Sequence, residues 1–558
     1  MSPSTSTAPP AAAPLTLFTP FTYGLFRAIW VASVVSNIGT WMQNVAGVWL
    51  VTTLTTSALL VALMQTATSL PAFLLSMPAG ALADLLDRRR LLLWTQAFMA
   101  GVAALLGLLT FLGEVSAPGV LGFTFLLGVG AALNGPVWQT VVTELVPRPV
   151  LPAAITLNGV SNNIARAIGP ALGGLIIAYY SPGWVFVLNG LSFLGTWAVL
   201  YAWQRAPLET NGPAEHFIGA LRAGLRYVQY APAIQAVLVR TVGFSFGASA
   251  MWALLSVVAA RQLHLSSGHY GVLLSWLGAG AVAGAFLMSR VGPRLTVNQR
   301  VLLGTLVFVV TNLALALVRQ VYWLYPVLFA AGIAWLMVMT SFNTTVQLHV
   351  PKWVQARVIS LYMLVFQAGM SLGSVAWGEA ADHASLPLAL AGAAAWLALS
   401  LALAIPYPLR PAENLNLAPA ESWSDPETAD ENRSGDIDPD DGPVVVMITY
   451  DVALADQPAF RQAADQLTRL RLRDGALRAG LYTDVAHPTH LTEFFYVATW
   501  GEHERQHRRF TQEDAAIEAR VRQFHAGPAA PRVAHFLAFP KTINVEEPQP
   551  YESLEGQR

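Results

Sequence analysis

From residue 26 to residue 407 the chain alternates long apolar runs with short polar breaks. A helix that crosses a bilayer needs about 17–25 mostly apolar residues. Twelve runs meet that need: 26–53, 58–83, 91–113, 118–143, 151–179, 183–203, 233–260, 270–289, 301–318, 321–347, 356–378 and 385–407. Tyr and Trp stand near many run ends, among them Tyr23, Trp94, Tyr179, Trp184, Tyr201 and Trp323, as interfacial anchors do. Beyond residue 410 the pattern changes. Residues 411–442 hold ten acids and one arginine with Pro and Ser, a composition that stays solvated. An alternating strand follows at Val444–Tyr450, then a helix at 456–472, strands near 476–484 and 491–500, a helical region over 502–525 and a strand at 532–539. That βαββαβ order predicts a ferredoxin-like α+β sandwich.

Composition supports the division. Hydrophobic residues make up 54% of the chain and charged residues 12%, against about 25% in soluble proteins. A net charge of −1 and no basic stripe with interleaved aromatics exclude nucleic acid as a partner. The absence of Cys excludes disulfides, thiolate metal sites and thiol catalysis. The Pro-, Ala- and Ser-rich start lacks the basic region of a cleavable signal and reads as a short disordered tail.

Loop charges give the orientation. With both termini cytoplasmic, inner loops hold Arg88, Arg89, Arg90, Arg148, Arg205, Arg222, Arg226, Arg290, Arg294, Arg300, Lys352 and Arg357. Outer loops hold only Arg261 and Arg319, so the positive-inside asymmetry is twelve to two. The expected site is a cytoplasmic (inner) membrane, with lipid as the surrounding partner.

The two halves repeat at an offset of 204 residues. Pro147 falls on Pro351, Arg148 on Lys352, Ile155 on Ile359, Asn163 on Gln367, Gly169 on Gly373 and Gly174 on Gly378. The offset spans six helices, an even number, so the copies are parallel, and in such transporters the substrate site lies between the halves near the midplane. The expected fold class is thus an all-α polytopic membrane protein with twelve transmembrane helices in two parallel six-helix repeats, plus a small α+β ferredoxin-like cytoplasmic domain. The expected boundaries are a tail at 1–22, a bundle at 23–204, a central loop with an amphipathic helix at 205–232, a second bundle at 233–410, an acidic linker at 411–442, the α+β domain at 443–540 and a tail at 541–558.

Two motifs carry mechanism. The loop after the second run reads Gly80-Ala-Leu-Ala-Asp84-Leu-Leu-Asp87-Arg88-Arg89-Arg90. Gly80 permits close helix approach. Asp84 can accept from an orphaned helix N-terminus, with Ala356–Ser360 the candidate, and Arg88 can pair with Glu144. Gly80, Asp84, Arg88, Arg89 and Glu144 are therefore gate candidates; the alternative is a static loop that only sets topology. The second motif, Gly169-Pro170-Ala-Leu-Gly173-Gly174, combines a kinking proline with packing glycines.

The first motif resembles the signature loop of the major facilitator superfamily, with Leu85 where a basic residue is usual, Asp87 where Gly is usual, and Met288 at the aspartate position of the second copy. The second resembles the exporter motif of that superfamily and implies outward transport. With Asn37–Gln43 and the C-terminal appendage, the chain resembles the branch of enterobactin exporters and transmembrane secretion effectors. The appendage resembles antibiotic-biosynthesis-monooxygenase domains, which are small dimeric barrels, so a homodimer through it is implied.

Polar residues in the runs fall on helix faces: Asn37, Trp41 and Asn44; Gln65; Asn134 and Trp138; Asn158, Asn162 and Arg166; Thr340, Asn343 and Gln347; and Gln367. Polar groups are costly in lipid and face a cavity or a partner. Together they are expected to line a substrate cavity; singly, each could instead form an interhelical hydrogen bond. Arg166 sits mid-run, either as a structural charge or as the anchor for an anionic or phenolic substrate. No Asp or Glu lies near a midplane and no nucleotide motif is present. Proton antiport is implied by the resemblance alone, and no bound cofactor or catalytic residue is expected. His503 and His507 stand four apart among charged neighbours, which favours a solvated face over a metal pair.

The expected function is a secondary-active exporter of a small organic molecule (a siderophore, another secreted natural product or a drug) working by alternating access. The alternatives are a membrane-anchored enzyme whose C-terminal domain does the chemistry, and a flippase or importer on the same fold.

Overall fold

The computed structural model describes residues 16–203, 224–411, 415–420 and 437–538; the side chains of 76–85, 136, 139, 140, 142–144, 148, 291 and 293 also lie outside this description. The C-terminal tail, residues 1–15 of the N-terminal tail, most of the expected linker and most of the central loop fall outside it. Of the described linker residues, 416–420 are not free, because the backbone of Asn416, Ala418 and Ala420 bonds to that of Glu513, Gln512 and Phe510.

Twelve long helices run through the first part: α1 (Gly24–Leu54), α2 (Ala58–Leu85), α3 (Arg88–Leu112), α4 (Ala117–Glu144), α5 (Leu151–Tyr179), α6 (Pro182–Ala202), α7 (Pro232–Val257), α8 (Ser267–Val291), α9 (Val297–Leu317), α10 (Val321–His349), α11 (Lys352–His383) and α12 (Leu386–Leu401). Among the described residues, ten are long and apolar enough to cross a membrane. The other two, α1 and α5, are 31 and 29 residues long but carry the polar stripes. They pack on each other, and α5 also packs on α8, so their polar faces are spent on protein contacts. Helices start where capping chemistry allows. Asp87 accepts from the Arg90 amide at 2.8 Å and begins α3 before the apolar run does, and Thr296 and Gln299 form a capping box on α9.

The repeat is visible in the packing. Gly169 on α5 lies against Ile38 and Trp41 of α1, and its image Gly373 on α11 lies against Phe246 and Ser249 of α7. Gly174 on α5 meets Ser267 and Gly271 of α8, and its image Gly378 meets Leu59 and Ala62 of α2. Most directly, the buried hydroxyls of Thr52 and Ser256 meet at 3.0 Å, and these two positions are 204 residues apart. A residue can touch its own repeat image only at the pseudo-two-fold axis.

By chain contacts the second compact unit joins the described residues of the C-terminal region with residues 224–235 and 345–361, a division that differs from the sequence boundaries. Its sheet orders β2 (Arg478–Thr483), β3 (His490–Val497), β1 (Val444–Asp451) and β4 (Arg532–Leu537), all antiparallel, which is the ferredoxin-like order. Helices α13 (Gln457–Asp474), α14 (Trp500–Arg509) and α15 (Gln512–Arg522) complete it. Alternation puts Val444, Val446, Ile448 and Tyr450 of β1 in the core with Phe460 and Leu467 of α13.

A buried ion cluster threads this core. Arg471 reaches Glu493 at 3.2 Å and Glu518 at 2.9 Å, all three nearly fully buried. Such charges are tolerated inside only when paired and hydrogen-bonded. Beside them His503 is buried rather than solvated, and burial, with His507, His535 and Arg471 nearby, pushes its pKa down to about 2. It is neutral in the folded domain but takes up a proton below pH about 6.5 when unfolded. Stability tied to neutral His503 is therefore full above that pH and lost as pH falls through it toward 2. Hydrogen exchange of the β3 amides is expected to quicken over that range, and His503→Leu to remove about one proton from the dependence.

Candidate functional site

Helix α5 is the element on which both cavities depend. One face carries Gly169 and Gly173 against α1; another carries Gly174 against Gly271 of α8, with Gly278 of α8 against the Arg166 backbone. A Cβ on Gly174 would sit 2.7 Å from the Ser267 carbonyl oxygen, a backbone atom that cannot swing aside. Pro170 lies between these contacts, and its carbonyl faces Gly271. Gly174→Val is expected to cost about 1–3 kcal/mol of overpacking. Transport by the variant should fall with little change in membrane insertion, as quantitative immunoblotting beside an uptake assay would measure.

The polar stripes of α1, α4 and α5 converge. Asn37, Asn44, Asn134, Trp138, Asn158 and Asn162 line a cavity of about 300 Å³ within the first six helices. Asn37 donates to Ser161 at 3.2 Å, Thr95 and Gln96 both donate to Asn134, and Asn162 donates to the Asn158 carbonyl. Asn37 and Asn134 thus form interhelical bonds as well as lining the space, whereas the Asn162 bond stays within α5. Gln43 and Asn189 also line it, bonded to each other. The i, i+7 spacing of Ser36 and Gln43 on α1, and the i, i+3, i+7 spacing of Asn189, Ser192 and Thr196 on α6, are the signals that could have found them.

A second cavity, of about 260 Å³, lies between the two six-helix halves and adjoins the first at Asn44, Met64 and Thr68. Trp41, Gln65, Arg166 and Gln367 line it, together with Trp252, Tyr270, Trp335 and Phe366, which sequence reasoning passed over. Aromatic side chains in apolar runs give no periodic polar signal. The Arg166 guanidinium lies 5.4 Å from the centre of the Trp41 ring and has no acidic partner among the described residues. The Trp252 indole N–H is buried with no hydrogen-bond acceptor among the described residues. A half-buried cation, an unpaired donor and aromatic walls can together hold a flat anion by charge, stacking and hydrogen bonding.

Three of the expected cavity residues stand elsewhere. Thr340, Asn343 and Gln347 line neither cavity; they occupy the last turns of α10, whereas Trp335 of that helix reaches the central cavity. The Thr340 hydroxyl is bonded to the Leu336 carbonyl.

Of the gate candidates, Gly80, Asp84 and Glu144 fall in the last turns of α2 and α4, with side chains outside the described residues, and so does the Arg88–Glu144 pairing. Arg88 is half-buried at the start of α3. Arg89 donates to the carbonyls of Leu200 and Tyr201 and lies over the Tyr201 ring, capping the C-terminus of α6.

A latch stands at the other end of the bundle, where none was expected. The Asp382 carboxylate, near the end of α11, accepts from the Ser57 hydroxyl and from the Ala58 and Leu59 amides at the N-terminus of α2. Close by, Arg261 donates to the Thr55 and Thr56 carbonyls at 2.9 and 2.7 Å. An acid on the second half thus caps a helix of the first, and a cation of the second half holds the carbonyls just before it. The sequence gives little signal for this, because most of the groups bound are backbone N–H and C=O.

The fold, the repeat and a cavity between halves define a membrane transporter of the major facilitator type. Residues 15–542 match the family described as "Transmembrane secretion effector", and the chain belongs to that family. It is a transporter of the exporter class. It is 26% identical over 363 residues to an enterobactin exporter of Citrobacter koseri, covering 64% of this chain and 85% of that one. It is 24% identical over 371 residues to a multidrug efflux pump of Mycobacterium bovis, covering 64% and 86%. It is 28% identical to a staphyloferrin A transporter of Staphylococcus aureus, over 28% of this chain and only 40% of that one. Among solved structures, a bacterial homologue of the human lysosomal transporter Spinster, inward-facing and occupied, superposes with a TM-score of 0.55 at 15% identity, covering 70% of this chain and 97% of that one. A POT family transporter in complex with 5-aminolevulinic acid superposes with a TM-score of 0.57 at 13% identity, covering 69% and 96%.

Proposed function

We propose that the protein exports an aromatic or phenolic anion of the siderophore or drug class across a cytoplasmic membrane, by alternating access of the central cavity. The observation that carries the reading is Arg166, without an acidic partner among the described residues, in an aromatic cavity between the halves. The relatives named for enterobactin, staphyloferrin A and drug efflux support that cargo class. The twelve-to-two excess of basic residues supports cytoplasmic termini, which puts the Asp382 latch on the outer side. In this reading the state described is closed outside.

The coupling ion in this reading is the proton, which rests on the resemblance to the major facilitator superfamily alone. Neither cavity is lined by Asp or Glu among the described residues, so the coupling acid lies away from the cargo. The intracellular loop with Asp84 is the proposed second gate. The C-terminal sheet leaves Met447, Tyr482 and Phe536 exposed, and this supports a homodimer through that domain. Its interior cavity beside Arg471 has a volume of about 10 Å³, room for a water at most, which disfavours catalysis there.

The test is uptake of catechol siderophores and dyes into everted vesicles under an imposed pH gradient. Accumulation that collapses with an uncoupler, and fails in Asp84→Asn, is expected. Accumulation indifferent to both would remove the coupling and gate assignments.

A further inference from the structure

The second compact unit holds more than the C-terminal domain: residues 224–235 and 345–361 belong to it as well. The reason is a dense contact among side chains. Glu502 on α14 accepts from Arg226 at 3.4 Å and from Arg509 at 2.6 Å, and its other oxygen accepts from Arg505 at 2.8 Å. The Arg509 guanidinium lies 4.5 Å from the ring centre of Trp353, in the first turn of α11. Arg473 lies over the Tyr227 ring, which packs edge-on against Trp353 and is 2% exposed. The Tyr227 hydroxyl donates to the carbonyl of His349, the last residue of α10. Burial works to raise the Glu502 pKa, but Arg509 and Arg505 outweigh it and hold the carboxyl below its usual range, so the anion is present at neutral pH.

A freely tethered appendage would have no reason to bury an aromatic pair drawn from two other segments. We propose that the C-terminal domain is an intramolecular receptor for two parts of the transporter, the stretch 224–230 and the α10–α11 junction, and that docking restrains the start of α11. That helix is continuous from Lys352 to His383 and places Gln367 in the central cavity. Docking therefore acts on a helix that carries a cavity residue, and the domain is a brake or a support of the transport cycle according to whether release speeds or slows it. The receptor chemistry is cation–π and charge-assisted, with guanidinium groups as the common element.

The test is hydrogen exchange on the full chain in lipid nanodiscs, which needs no cargo and so stands apart from the cargo assignment. In Glu502→Gln/Arg509→Gln, exchange over 224–230 and 352–361 is expected to quicken about tenfold, with β1 and β3 unchanged. Trp353→Ala, which leaves the domain's own residues intact, should quicken exchange over the same stretches and over α14. If β1 and β3 also quicken in the double variant, the domain has been damaged and the Trp353→Ala result decides alone. Unchanged exchange at 224–230 and 352–361 in Trp353→Ala would overturn the proposal.

Discussion

Arg166→Ala is expected to lower uptake of an anionic catechol into everted vesicles by about ten- to a hundredfold. A hydrogen bond to a charged group contributes about 1.5–3 kcal/mol, and the central cavity offers no second cation among its lining residues. Arg166→Lys keeps the charge but loses the planar fork and its stacking on Trp41, so it should recover only part of the rate. An uncharged dye that relies on the aromatic walls should be much less affected. If dye and catechol fall equally, Arg166 is a structural charge and the cargo assignment fails. Initial rates over a range of concentrations separate the two, because loss of an anchor raises KM.

Asp382→Ala is expected to shift the resting population away from the state described here. The substitution removes three hydrogen bonds to Ser57, Ala58 and Leu59 and leaves the N-terminus of α2 without its cap. A lost helix cap costs about 0.5–2 kcal/mol, and each 1.4 kcal/mol is tenfold in population. The chain has no Cys, so a single cysteine at Leu59 reports the change directly. Labelling by an impermeant maleimide should be several-fold faster in the Asp382→Ala background. Equal labelling would mean that this end is held shut by apolar contact alone, and that the carboxylate only terminates α11.

How much of this was legible in the sequence depends on the kind of group involved. The twelve helices could be read because lipid demands long apolar runs, and α1 and α5 could be read as special because their amides recur on one face. The offset of 204 was legible in matched glycines and prolines, and it returns in space as the Thr52–Ser256 contact. The aromatic half of the central cavity was not legible: Trp252 and Trp335 in apolar runs look like any lipid-facing or core residue. The Asp382 latch was hidden for a different reason, since most of its partners are peptide groups that every residue possesses. The stripe on α10 misled because a shared helix face does not fix depth. Thr340, Asn343 and Gln347 point along a consistent face but lie too near the helix end to reach the space that Trp335 reaches.

The Thr52–Ser256 pair has a kinetic meaning. Thr52 also bonds within its own helix, to the Val48 carbonyl at 2.7 Å, so its hydroxyl keeps a partner when the two halves part. A contact one of whose two members keeps a partner makes a shallower well than one that strands both. Closure of this kind is easily undone, and a machine that must reverse itself once per molecule carried gains more from seams that release quickly than from seams that hold.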